Sequence, residues 1–225
     1  LALAPSPHAA LASFDPASVA QKLAGVSYRF NRSADIVALL SLLSQVVQKH
    51  GTLGAAFFSC GGAVARERLA AFRREIFSGS TASVYGSDLR PRGLEQLLPD
   101  TATGSAAKRM YMFLRWMVRK DEIDLGLWAA FGAENLVIPV DTHVARIATN
   151  LGLTARRTAD YKMALEITDA LRLLDPRDPV KYDFAIAHLG ISGLCPSRPT
   201  KTACARCALV THCRFGVKGR RAATR

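Results

Sequence analysis

The chain has 225 residues, with 30 Lys and Arg against 18 Asp and Glu and a formal net charge of +12. That cationic excess points to a polyanionic partner, nucleic acid before an anionic membrane, and no apolar run approaches the ~20 residues a bilayer span requires. The length allows one large domain or two modest helical ones with adequate cores. Five cysteines, four of them in one short segment, fit a cytosolic metal site better than a disulfide framework.

Residues 1–12 read as a loose leader without the basic and apolar regions of a signal peptide. Because the chain opens on Leu1 rather than Met, its natural start is expected to be missing. Asp15-Pro16 places an N-cap ahead of a proline at the first helical position and starts a short helix. Ile36, Leu39, Leu40, Leu43, Val46 and Val47 mark a long amphipathic helix that Gly51 closes. Thr52 caps a short Phe57-Phe58 segment, broken at Gly61-Gly62, and residues 63–77 form a charged amphipathic helix. The small polar residues from Ser78 to Asp88 predict a loop. Helical periodicity returns at Leu94 to Leu98 and stops at Pro99. A second loop, Asp100-Thr-Ala-Thr-Gly-Ser105, leads into a helix over 106–119. A short segment around Trp128 precedes a helix beginning near Asp141. Ile167, Leu171 and Leu174 mark the next helix, and Asp178-Pro179 is expected to start the last. No alternating strand of useful length occurs, so the fold class is all-α. The expected parts are a leader and short helix over 1–30, a helical domain over 31–135 and a second over 136–225.

The helix over 106–119 has two faces. Met110, Phe113, Leu114 and Met117 form an apolar stripe. Lys108, Arg115 and Arg119 lie on roughly the opposite side with Met112. Three cations without interspersed carboxylates are either a solvated face or a phosphate track. Lys108 stands in the first turn, where the helix dipole opposes a cation. With Arg109 adjacent and partial burial, that field favours the neutral amine, the form a Schiff-base nucleophile needs. Lys120 is a rival nucleophile, although a lysine at a helix C-terminus ordinarily compensates the dipole.

Asp141 follows the apolar run Leu136 to Val140 and precedes Val144, Ile147, Ala148 and Leu151, which recur at helical spacing. It is thus placed as an N-cap and kept ionised by free N–H groups and the positive helix end. Such a residue is either a plain cap or a charge available for chemistry.

Cys195-x8-Cys204-x2-Cys207-x5-Cys213 has the spacing of a four-thiolate metal site, either a [4Fe-4S] cluster or zinc, with His212 a possible zinc ligand. Cys60 reads as a small buried hydrophobe. Residues 195–225 hold eight Lys or Arg and no Asp or Glu. Arg198, Lys201, Arg206 and Arg214 would present cations from the cysteine loop, and Lys218, Arg220, Arg221 and Arg225 form a basic tail.

The run Val140-Asp141-Thr142-His143 followed by Arg146 resembles the catalytic-Asp segment of the helix-hairpin-helix DNA glycosylases, the endonuclease III superfamily. Gly104-Ser-Ala-Ala-Lys108 occupies the place of that superfamily's catalytic-lysine loop, and the x2 and x5 cysteine gaps are similar to its [4Fe-4S] loop. The superfamily's Leu-Pro-Gly-Val-Gly hairpin signature is absent. Leu98-Pro99-Asp-Thr-Ala-Thr-Gly104 stands in its place, and the gap from Lys108 to Asp141 is longer than in endonuclease III. Both departures look more like the archaeal 8-oxoguanine glycosylases. The runs Lys108-Arg-Met-Tyr-Met-Phe-Leu-Arg-Trp-Met-Val-Arg-Lys-Asp121 and Tyr182-Asp-Phe-Ala-Ile-Ala-His-Leu-Gly190 are closer still to a bacterial family of unknown function beside these enzymes.

The resemblance spans about residues 26–215. It implies a two-part helical glycosylase-like fold ending in a structural iron–sulfur loop, with Lys108 as nucleophile and Asp141 as its charged partner. Arg115, Arg119, Arg198, Lys201, Arg206 and Arg214 would contact double-stranded DNA containing a damaged base. The implied activity is a DNA glycosylase and lyase of base excision repair, monomeric, in the bacterial cytoplasm at the nucleoid. Trp116, Trp128, Tyr111 and Phe131 are candidates for stacking on the extruded base. The contrasting readings are a metal-stabilised DNA-binding protein without chemistry and a zinc-bearing RNA-binding module.

Overall fold

The computed structural model describes residues 6–215. The first five residues of the expected leader lie outside the described residues, as do the tail cations Lys218, Arg220, Arg221 and Arg225. Among the described residues the chain is mostly helical, with twelve α-helices, two 3-10 turns and one short antiparallel hairpin. None of these helices is long and apolar enough to cross a membrane. The chain divides into two compact units, Leu1–Ala102 and Thr103–Arg225. The division falls inside the second polar loop rather than after residue 135, so the Lys108 helix belongs to the same unit as the Asp141 helix.

The first unit contains α1 (Pro7–Ala12), α2 (Pro16–Lys22), the hairpin strands β1 (Ser27–Tyr28) and β2 (Asn31–Arg32), α3 (Ser33–His50), α4 (Leu53–Ser59), α5 (Ala65–Ile76), α6 (Ala82–Tyr85) and α7 (Arg92–Leu97). Residues 7–12 are helical rather than loose, because the Ser6 hydroxyl caps the Ala9 N–H and Pro7 presets the first turn. Asp15 caps α2 through the N–H groups of Ala17 and Ser18, as its Asp-Pro signature predicts. The loop over 78–88 contains the single helical turn α6, with Thr81 buried and its hydroxyl donated to Leu89 O at 2.7 Å.

Helix α3 is the hub of this unit, with α1, α2, α4, α5, α6 and α7 packed around it. A helix covered on several sides buries more than one stripe. Val37, Leu42, Val46 and Val47 are buried, and so are Asp35, Ser41 and Ser44. Asp35 is held by hydrogen bonds: the Arg32 N–H donates to Oδ2 at 2.9 Å and the Tyr85 hydroxyl to Oδ1 at 2.9 Å. Burial and this carboxylate together push the Tyr85 phenol well up from its usual range. Gly93 of α7 sits hard against the same group, since a Cβ there would lie 2.3 Å from Asp35 Oδ2.

The second unit contains α8 (Lys108–Val118), 3-10 turns at Ala129–Phe131 and Ala133–Asn135, α9 (Thr142–Leu151), α10 (Tyr161–Arg172), α11 (Asp183–Ile191) and α12 (Lys201–Ala205). Its core joins Met110, Tyr111, Leu114 and Val118 to the extended run Leu136–Val140, Val144, Ile147 and Ala148 of α9, and Met163, Ala164, Ile167 and Leu171 of α10. The extended run needs backbone partners, and Ile138 N–H finds one in the Thr168 hydroxyl at 3.0 Å. The buried stripe of α8 is rotated from the expected one. Tyr111 lies inside, stacked on Tyr161 at 6.1 Å, while Phe113 packs its edge on the buried Trp128 at 5.3 Å. Tyr111 and Trp128 are thereby core residues and not available to stack on a base. The Asp178-Pro179 pair starts no helix; α11 begins at Asp183.

Replacing a helical glycine by alanine ordinarily stabilises a protein by roughly 0.5–1 kcal/mol. At Gly93 the sign reverses, because the added methyl collides with Asp35. Gly93→Ala is expected to destabilise the first unit by about 1–3 kcal/mol, measured as a lowered urea midpoint. A raised midpoint would contradict the close approach of α7 to Asp35.

Candidate active site

Lys108 is the first residue of α8 and Asp141 is the residue that caps α9. The Lys108 amine lies 2.7 Å from Asp141 Oδ2. The other oxygen, Oδ1, accepts the N–H groups of His143 and Val144, each at 2.9 Å. One carboxylate therefore serves two helix mouths, capping α9 with one oxygen and holding the amine of α8 with the other. Burial alone would raise this carboxyl. The Lys108 hydrogen bond and the Val144 and His143 N–H groups outweigh burial and hold it below the usual carboxylate range. Asp141 is thus both the cap of α9 and the partner of the Lys108 amine.

The lysine loop is built without a capping side chain at α8. Ala107 occupies the N-cap in the left-handed region, φ 39° and ψ 41°, at a cost of roughly 1–2 kcal/mol for a residue with a Cβ. Its N–H is taken by the Ser105 hydroxyl, and Gly104 O accepts the Tyr161 N–H at 3.0 Å. The loop is thus tied to the start of α10.

The cationic ridge of α8 exists, but it does not face a phosphate backbone. Arg115 is 4 % exposed. Its Nη1 donates to Asp183 Oδ2, and its Nε and Nη2 donate to Asp124 Oδ1 at 3.2 and 3.0 Å. Arg119 holds both oxygens of Asp178, at 3.0 and 2.9 Å, and also donates to Asp121 Oδ2 and Asp124 Oδ2. Arg115 and Arg119 are structural cations, and their assignment to DNA binding is corrected. The carboxylates that occupy them come from Asp121, Asp124, Asp178 and Asp183, none of which lies on α8. Asp183 is the functional candidate that sequence reasoning missed. It opens α11 looking like an ordinary acidic first-turn residue, yet it is buried against the Arg115 guanidinium.

The same short helix that carries Asp141 reaches two further places. His143 packs against Gly190 of α11, where a Cβ would lie 2.4 Å from its Nδ1. Arg146 donates to Cys195 Sγ at 3.2 Å, to Pro196 O at 2.9 Å and to Cys195 O at 2.8 Å.

Cys195, Cys204, Cys207 and Cys213 all line one pocket, together with Asn150, Leu194, Pro196, Pro199, Val210 and Phe215. Burial pushes the Cys204 thiol up, and the proximity of Cys213, Cys195 and Cys207 adds to the rise. The neighbouring sulfurs thus disfavour a thiolate at Cys204, and a bound cation would reverse that preference. Among the described residues, however, no three His, Cys, Asp or Glu side chains are drawn into a ready metal-holding group. Arg198, Lys201, Arg206 and Arg214 are all exposed around this pocket. No ion pair to a carboxylate engages them among the described residues.

A family model described as a protein of unknown function (DUF2400) matches residues 1–192, and the chain belongs to that family. The matched span holds Lys108, Asp141 and Asp183 and ends ahead of the four cysteines. No curated protein and no solved structure matches.

The buried pairing of Arg115 makes a direct prediction. Arg115→Gln leaves Asp124 and Asp183 without their shared guanidinium, which should lower stability by about 3–5 kcal/mol, read from urea unfolding. An unchanged midpoint together with weakened duplex binding would return Arg115 to the DNA-contacting set.

Proposed function

We propose that this chain is a DNA glycosylase of base excision repair with lyase activity, removing a damaged base from double-stranded DNA. The observation that supports this reading best is the Lys108 amine held 2.7 Å from Asp141 Oδ2 at the mouths of two helices. To act as nucleophile, the amine gives up a proton and attacks the anomeric carbon as the bond to the base breaks. The sugar ring opens to an imine, and elimination of the 3′ phosphate follows from it. The Asp141 carboxylate, held ionised, stabilises the positive charge that develops on the sugar. In this reading the helical architecture is a glycosylase-like one, and the enzyme works as a monomer in the cytoplasm, at the nucleoid.

Arg198, Lys201, Arg206 and Arg214 supply the exposed cations for the phosphate backbone, since the inward arginines of α8 are already neutralised. Cys195, Cys204, Cys207 and Cys213 would hold a [4Fe-4S] cluster. Its contribution would be to fold the loop that carries these cations. Zinc on the same four thiols is the simpler alternative. The exposed cations around the cysteine pocket also suit a DNA-binding protein without chemistry, which would make no use of Lys108.

Sodium borohydride reduces an imine to a stable amine and so traps protein on DNA. Wild-type protein should be trapped on an abasic or lesion-bearing duplex, and Lys108→Gln should abolish trapping while leaving duplex affinity nearly unchanged. Asp141→Asn should slow trapping by a factor on the order of 100, and Lys120→Gln should leave it intact. Absence of trapping by wild type across a broad panel of lesions would favour the DNA binder without chemistry.

The metal assignment is tested separately. Protein purified anaerobically should be brown, with broad absorption near ~400 nm and about four irons per chain. Cys204→Ser or Cys207→Ser should lose the colour and become insoluble. Stoichiometric zinc without iron would replace the cluster by a zinc site.

A further inference from the structure

The amine and the cysteine loop both belong to the second unit, and the hairpin of the first unit is left without a task. β1 and β2 pair Ser27 with Arg32 and Tyr28 with Asn31, so Arg29 and Phe30 form a two-residue turn. Such turns favour glycine, asparagine or aspartate where φ is positive. Arg29 instead takes φ 57°, a strained choice for a residue with a Cβ. Its guanidinium lies over the Tyr28 ring, 5.6 Å from the centroid. An exposed cation–π contact returns less than that strain costs. Phe30 completes the turn and is 82 % exposed, while Tyr28 is 57 % exposed.

The base of the hairpin is fixed and its tip is bare. Asn31 is buried, and its Nδ2 donates to Gly93 O at 2.6 Å. The next N–H, that of Arg32, is held by Asp35 at 2.9 Å, and β2 packs on α3 and α7. Two rings are thus held out from an anchored base, and a ring carried on a pre-ordered segment gives up little freedom on binding. The stretch 16–34 contains Lys22, Arg29 and Arg32 and no Asp or Glu. Asp35, the next carboxylate, is buried. No ion pair to a carboxylate engages Arg29 or Arg32 among the described residues.

We infer that this hairpin is a stacking site for unpaired bases of a DNA strand, with Phe30 and Tyr28 against base faces and Arg29 on a neighbouring phosphate. A protein partner would have to desolvate the cations or meet them with carboxylates while covering the rings. A nucleic-acid strand answers both features at once, because base and phosphate alternate along it. A duplex hides its base faces, so the bases concerned are unpaired ones, such as those opened around an extruded nucleotide. The choice of DNA over RNA rests on the imine-forming reading of Lys108, whereas the stacking itself rests on the hairpin alone.

Binding of the full chain to a single-stranded oligothymidine of about twelve nucleotides reads the site directly. Phe30→Ala should weaken it by about 5- to 150-fold, the worth of one stacked base, and Phe30→Trp should retain it. The salt dependence should be unchanged in Phe30→Ala, which removes no cation. Arg29→Gly should lower the log–log salt slope by about 0.7, one phosphate contact, and raise the urea midpoint by relieving the turn. On irradiation, a strand carrying 5-iododeoxyuridine should crosslink to Tyr28 or Phe30. Unchanged affinity in Phe30→Ala, or crosslinks confined to other residues, overturns the inference. So does a wild-type dimer that Phe30→Ala dissociates, which would make the hairpin a contact between copies of the chain. An oligouridine bound more tightly than oligothymidine overturns the choice of DNA. Weakened binding in Phe30→Ala without borohydride trapping by wild type would reject the lysine chemistry and uphold the stacking site. Trapping by wild type with unchanged binding in Phe30→Ala would reject the stacking site alone.

Discussion

One face of α8 carries three cations, and the second unit is assembled by neutralising them. Lys108, Arg115 and Arg119 recur seven and four residues apart, so they align along the helix. Their partners arrive from far away: Asp141 at 33 residues, Asp183 at 68 and Asp178 at 59. A guanidinium cannot be buried alone without a large desolvation penalty, so the segments bearing these carboxylates are constrained to meet α8. Exposure along the ridge is graded. The Arg115 and Arg119 side chains are 5 % and 11 % exposed, whereas that of Lys108 is 40 % exposed. The first two cations organise the fold; the third is paired and yet accessible, which is what a reacting amine requires.

Helix α9 connects this charge ridge to the cysteine loop over only ten residues. Asp141 at its mouth holds the amine, His143 packs into the space left by Gly190, and Arg146 grips Cys195 and the Pro196 carbonyl. A group bound among the four thiols would therefore act on Lys108 only mechanically, by fixing the far end of α9. The pocket lies at the opposite end of this helix from the carboxylate.

The periodic signals of the sequence carried the helices well, because local propensity and tertiary packing agree there. Asp15-Pro16 caps α2 and Gly51 closes α3, with φ 79° at the glycine. The cap at Asp141 was legible for the same reason. What the sequence concealed were long-range partnerships. Arg115 and Arg119 read as a phosphate track only because their carboxylates lie outside the helix. Asp178 read as a cap because it precedes a proline, but its carboxylate is taken by Arg119 and the helix starts five residues later. Asp183 carried no signal at all, since an acidic residue in a first turn is ordinarily explained by the dipole. The boundary after Ala102 was equally hidden, because it depends on which loop the lysine helix packs with rather than on the composition of either segment.

The local energetics around Lys108 bear on whether its pairing is merely structural. A cation in a first turn is opposed by the helix dipole by roughly 0.3–1 kcal/mol. The left-handed Ala107 adds roughly 1–2 kcal/mol, and no side chain caps α8. Against this, a part-exposed ion pair contributes about 0–1 kcal/mol. Stability alone would place a serine or aspartate at position 107 and leave the cation to the last turn. Departures from local preference that bring no return in stability concentrate where function constrains the chain. In this unit the departure falls on the most exposed of the ridge cations, beside a carboxylate held ionised.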